Sequence, residues 1–125
     1  MSVKIKARRD TPYVLLDENG IIQIEGRSLP EHVYFFYGPV FQWLDRYITQ
    51  PADTTEIKIF LTYYNSSSFK CIADLLMYFK RIYNGHNVKI TWMYEEDDLS
   101  ILETGKQLEE PTEIPFHFEK QPVEE

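Results

Sequence analysis

The chain has 125 residues, 43% of them hydrophobic and 15% aromatic, enough for one core without a disulfide or metal staple. Its single cysteine, Cys71, excludes an internal disulfide framework and points to a reducing, intracellular setting. The net charge of −7 is uneven: Glu95 to Glu125 carries eleven acidic and two basic residues, which leaves the rest at +2, without the basic stripe of a nucleic-acid binder.

Residues 1–10 read as a polar, flexible start, where Lys4, Lys6, Arg8 and Arg9 interrupt any signal-peptide core. Thr11 to Leu16 predicts a strand, with Pro12 holding it to an early or edge position. Asp17-Glu18-Asn19-Gly20 predicts a hairpin turn of type I′. Ile22 and Ile24 then alternate with Gln23 and Glu25 in a half-buried strand, and Gly26 to Glu31 reads as a loop. Gly38-Pro39 opens a helix with Pro39 at its first position, and Val40, Trp43, Leu44, Tyr47 and Ile48 form its apolar face.

After the break at Pro51 to Thr55, Glu56 to Tyr64 is the strongest strand signal. Ile57, Ile59, Leu61 and Tyr63 fall on one face and Phe60 and Tyr64 on the other, as in a central strand covered on both sides. Asn65-Ser66-Ser67-Ser68 supplies helix-capping side chains, and a long helix runs from about Ser67 to Tyr83. Asn84-Gly85 should end it in a left-handed cap. Val88 to Tyr94 predicts a strand, Asp98 to Glu110 an acidic helix capped by Asp97, and Pro115 to Phe118 a last short strand. No apolar run approaches the roughly 20 residues of a membrane span. The pattern implies one α/β domain over 11–118, with a mixed sheet, an antiparallel N-terminal hairpin and helices packed on the sheet. Residues 119–125 read as an acidic tail.

Catalytic signatures are missing. His32, His86 and His117 are far apart in sequence, Cys71 has no companion, and Glu95-Glu96-Asp97-Asp98 lacks the spacing of a calcium loop. No glycine-rich phosphate loop is present, and Ser66, at a strand-to-helix junction, lacks the flanking glycines of a nucleophile elbow. The expectation is a non-enzyme with no cofactor and no metal. The run Asn65 to Ser68, four small polar residues directly after a buried strand, exceeds the one side chain that a cap needs. A phosphate on a hydroxyl there would lie beside free helix N–H groups, so the segment suits a charge switch as well as simple capping.

Gly26-Arg27-Ser28-Leu29-Pro30-Glu31, then Tyr37 to Tyr47 (YGPVFQWLDRY), then Tyr64-Asn65-Ser66-Ser67-Ser68, in that order, resemble the SiaC-type bacterial regulatory phosphoproteins, with similarity over roughly Thr11 to Glu110. That resemblance implies a STAS-like fold and a cytoplasmic partner-switching module. It implies phosphorylation by a cognate Ser/Thr kinase, reversal by a PP2C-type phosphatase, and binding of a signalling enzyme such as a diguanylate cyclase by the unphosphorylated form. The family acceptor comes directly after the Asn of the junction and is a threonine; here the position is Ser66, with Ser67 and Ser68 as further hydroxyls. Tyr64, Asn65, Ser67, Phe69 and Lys70 are the expected partner contacts. The competing expectation is a constitutive adaptor or structural domain whose serines only cap a helix.

Overall fold

The computed structural model describes residues 2–123, so Met1 and the tail residues Glu124 and Glu125 lie outside the described residues. Its elements run β1 (Val3–Ile5), β2 (Tyr13–Asp17), β3 (Ile21–Ser28), α1 (Val33–Tyr47), β4 (Thr54–Tyr64), α2 (Ser66–Ile82), β5 (Asn87–Glu95), α3 (Leu99–Thr112) and β6 (Phe116–Gln121). The six strands form one sheet in chain order, β1-β2-β3-β4-β5-β6. The first two pairings are antiparallel, and β3, β4, β5 and β6 pair in parallel. Each parallel step crosses to the adjacent strand through one helix, and such crossovers are almost always right-handed. All three helices therefore fall on one face, with α2 between α1 and α3, and β4 occupies the interior of the sheet as its apolar alternation requires.

The buried side chains agree. Val14, Leu16, Ile22, Ile24, Ile57, Ile59, Leu61, Ile90 and Trp92 turn the same way and meet Tyr37, Val40, Leu44, Ile72, Leu75, Leu76 and Phe79 from the helices. The opposite sheet face carries no helix, so β4 is covered on one side and not on both as expected, because all three crossovers share one hand, and Phe60 there is only half-buried. Gln23, Lys58, Phe60 and Met93 line a shallow depression there.

Several local expectations change. The start is not loose throughout: Val3–Ile5 pairs with β2, because Val3 and Ile5 add apolar surface to the core edge. The last strand runs through Gln121, so residues 119–121 belong to the sheet rather than to a tail. The hairpin is not type I′: Gly20 N–H donates to the Asp17 carbonyl at 2.9 Å, and only Gly20 of the turn has positive φ, at 99°. That is a three-residue loop with glycine in the left-handed position. A side chain at Gly20 would also collide with the Thr54 carbonyl oxygen. Gly26 to Ser28 continues β3 rather than forming a loop. Helix α1 begins at Val33, which leaves Pro39 in its interior. Its missing N–H deprives the Phe35 carbonyl of its helical donor, on a turn where Phe35 is exposed and water can substitute. Of the four expected capping residues Asn65 is the one that caps α2, which begins at Ser66, and Asp98, not Asp97, caps α3. At the end of α2 the chain leaves through Tyr83 in right-handed geometry, with no left-handed residue at Asn84 or Gly85.

Candidate functional site

The C-terminal ends of β3 and β4 and the N-termini of α1 and α2 meet at one edge of the sheet. A register shift brings the junction into place: Gly26 opposes Leu61, but Arg27 opposes Tyr63. Thr62 is the extra residue, and it reverses the inward and outward sense of Tyr63 and Tyr64. Tyr63, expected inside, is 56% exposed, with Arg27 over its ring at 5.3 Å. Tyr64 turns inward instead and stacks on Phe69, with centroids 6.2 Å apart. The Thr104 hydroxyl donates to the Ser100 carbonyl at 3.0 Å, so the Tyr64 hydroxyl donates to Thr104 at 2.6 Å.

Beyond Tyr64 the backbone enters α2. The Asn65 side-chain oxygen accepts from the Ser68 N–H at 2.9 Å and from the Ser67 hydroxyl at 3.1 Å, satisfying one of the helix's free donors. The three serines then differ sharply in environment. Ser68 is fully buried and Ser66 and Ser67 are exposed. The Ser66 hydroxyl makes no hydrogen bond to a described residue, and no acidic residue occupies the first turn of α2.

Ser68 joins a closed hydroxyl chain that ties three elements together. Its hydroxyl donates to the Ser28 carbonyl at 2.9 Å and accepts from the Ser28 hydroxyl at 2.8 Å. Ser28 has then spent its one proton, so the Tyr37 hydroxyl, 2.6 Å away, donates to it. The Ser28 carbonyl also accepts from the Asn65 N–H at 3.1 Å. Ser28, Tyr37 and Ser68 are each 0% exposed, and burial pushes the Tyr37 phenol up to about 12, so it stays a donor at neutral pH. This network holds the end of β3, the first turns of α1 and the start of α2 in one arrangement. Sequence reasoning missed Ser28 and Tyr37 as parts of the site. Their signals were available: a serine where a loop was expected, and a tyrosine beginning the apolar stripe of α1.

Of the expected contacts, Ser66, Ser67 and Lys70 are exposed, Tyr64, Asn65 and Phe69 half-buried, and all six belong to this junction. His32, His86 and His117 do not come together, and among the described residues no group of three metal-ligating side chains forms. Burial pushes the Cys71 thiol up, away from the reactive thiolate. No described helix is long and apolar enough to cross a membrane.

Fold and junction together define a single α/β domain with an exposed hydroxyl at a helix N-terminus. The profile of the SiaC family regulatory phosphoproteins matches residues 5–121, and the chain belongs to that family. Its relatives include an uncharacterised Pseudomonas aeruginosa protein (strain UCBPP-PA14), 27% identical over 114 residues that make up 90% of each chain. Apo-SiaC from Pseudomonas aeruginosa superposes with a TM-score of 0.85 at 26% identity, covering 95% of this chain and 98% of the other. The diguanylate cyclase SiaD in complex with its activator SiaC, from the same organism, gives a TM-score of 0.88 at 26% identity, covering 95% and 99%.

Proposed function

We propose that the chain is a cytoplasmic partner-switching regulator that catalyses nothing itself: unphosphorylated, it binds and activates a signalling enzyme of the diguanylate cyclase class, and phosphorylation of Ser66 releases that enzyme. A Ser/Thr kinase and a PP2C-type phosphatase set the proportion of the two forms. The observation that carries this is the division of labour at the junction. Asn65 caps the helix and Ser68 is locked into the core, which leaves the Ser66 hydroxyl exposed and uncommitted. If the serines served only as caps, this arrangement would be redundant. The solved SiaD–SiaC complex of the relative supports the class of partner.

The physics of release needs no refolding. A phosphate on Ser66 adds about −1.5 to −2 charge beside the free N–H groups of α2, which the fold accommodates. A partner seated on that edge would have to desolvate the dianion, and losing about 3 kcal/mol weakens binding by more than a hundredfold. The test compares stoichiometrically phosphorylated and unmodified chain for affinity to the diguanylate cyclase captured with it from the native cell. At least a tenfold weakening is expected, about 1.4 kcal/mol. Equal affinities, or phosphate found only on Ser67 or Ser68, would overturn the assignment.

A further inference from the structure

The first half of α1 is more aromatic than the core can use. Tyr37 points inward, but Phe35 is 88% exposed and Tyr34 63%, the highest exposure of any phenylalanine and any tyrosine among the described residues. Phe35 and Phe36 form one wall of an open groove of about 400 Å³, whose other side is Ile5 of β1 and Pro30 of the β3–α1 connection. Arg8, Glu31 and His32 stand at its margin. Arg8 belongs to the most basic stretch of the chain: residues 4–9 hold four cations and no acid, in a molecule of net charge −7. Lys6, Arg8 and Arg9 form no ion pair with a described residue. The groove lies on the β1 side of α1, while Tyr34 and Phe41 line the flank facing α2 together with Met77 and Tyr78.

We infer that this groove, on the flank of α1 away from α2 and the Ser66 hydroxyl, is a docking site for an acidic segment of a partner protein that carries large apolar side chains. Exposed phenylalanine beside an apolar floor supplies an anchor, since buried aromatics carry much of the energy of protein interfaces. Arg8 at the margin and Lys4, Lys6 and Arg9 in the same stretch outnumber Glu31, set the sign of the partner's charge and attract it over distance. The groove lies on the flank of α1 that faces away from α2, and none of its lining residues belongs to α2, so docking there needs no contact with the Ser66 hydroxyl. The inference therefore does not rest on the switch proposed above.

The probe is a fluorescein-labelled peptide of about 18 residues with glutamate, leucine and phenylalanine at amphipathic helical spacing, alongside a twin in which every glutamate is lysine. Fluorescence anisotropy on the full chain should show saturable binding of the acidic peptide, at least tenfold weaker for the lysine twin. Phe35→Ala and Arg8→Glu should each weaken the acidic peptide at least tenfold with unchanged circular dichroism, while Ser66→Ala should leave it unaltered. Equal binding of both peptides, binding of neither, or indifference to Phe35→Ala and Arg8→Glu would overturn the site. So would sedimentation showing that Phe35→Ala abolishes self-association, since that result gives the groove to a second copy.

Discussion

Alanine at Ser66 and alanine at Ser68 delete the same hydroxyl two positions apart, yet their expected costs differ. Ser66 offers nothing to the fold that water does not, and Asn65 already caps the helix, so Ser66→Ala should change stability by less than about 0.5 kcal/mol. Ser68→Ala strands the buried Ser28 hydroxyl, which has no other acceptor for its proton once Tyr37 donates to it. An unsatisfied buried donor costs about 1–3 kcal/mol, so urea unfolding should separate the two variants by at least about 1 kcal/mol. Equal midpoints would mean that the hydroxyl chain is not what fixes the junction. The same contrast separates signalling from structure: Ser66→Ala should abolish phosphorylation while keeping the fold, whereas Ser68→Ala should impair the fold before it affects any acceptor. The cluster of serines was legible in the sequence, but not which was free. That depends on Ser28 and Tyr37, which lie 40 and 31 positions upstream of Ser68.

Among the elements, α3 shows how one position can decide a packing. An ideal Cβ at Gly105 would sit well inside van der Waals distance of the Trp92 ring, which is 0% exposed and whose N–H donates to the Ile101 carbonyl at 2.9 Å. Gly105→Ala should gain about 1 kcal/mol of helix propensity but force the indole or the helix to move, at about 1–3 kcal/mol for overpacking. We expect net destabilisation by thermal melting, with a changed tryptophan environment in near-ultraviolet circular dichroism; a more stable variant would refute the close approach. Strands β4 and β5 and helix α2 were legible because their apolar residues repeat at the period of the element over many positions. What escaped was set by tertiary context. The extra residue at Thr62 swaps the faces of Tyr63 and Tyr64, and an alternation cannot announce its own interruption. Pro39 resembles a helix start because proline suits that position, yet an exposed turn also tolerates it in the interior.

At the scale of the whole molecule, the sheet order gathers the chemistry at one edge. Parallel strands β3, β4 and β5 all end there, and α1, α2 and α3 all begin there, so the junction presents helix N-termini whose first N–H groups have no helical acceptor. Neither α1 nor α2 carries an acidic residue in its first turn, which leaves their part of the edge receptive to added negative charge, whereas Asp98 already caps α3. A charge added at Ser66, as proposed, would change what the surface binds without asking the core to rearrange. The measurable consequence lies in hydrogen exchange. On phosphorylating Ser66, amides of β4 beneath the junction, and of α1 beyond its first turn, should keep their protection, and the melting temperature should fall by no more than about 2 °C. If the phosphate were instead forced onto Ser68, the chain from Tyr37 through Ser28 to Ser68 would have to open, exposing α1 and the end of β3 together. Widespread loss of protection in α1 after modification of Ser66 alone would show that the device works by unfolding, and would sink the surface mechanism while leaving the identity of the acceptor intact.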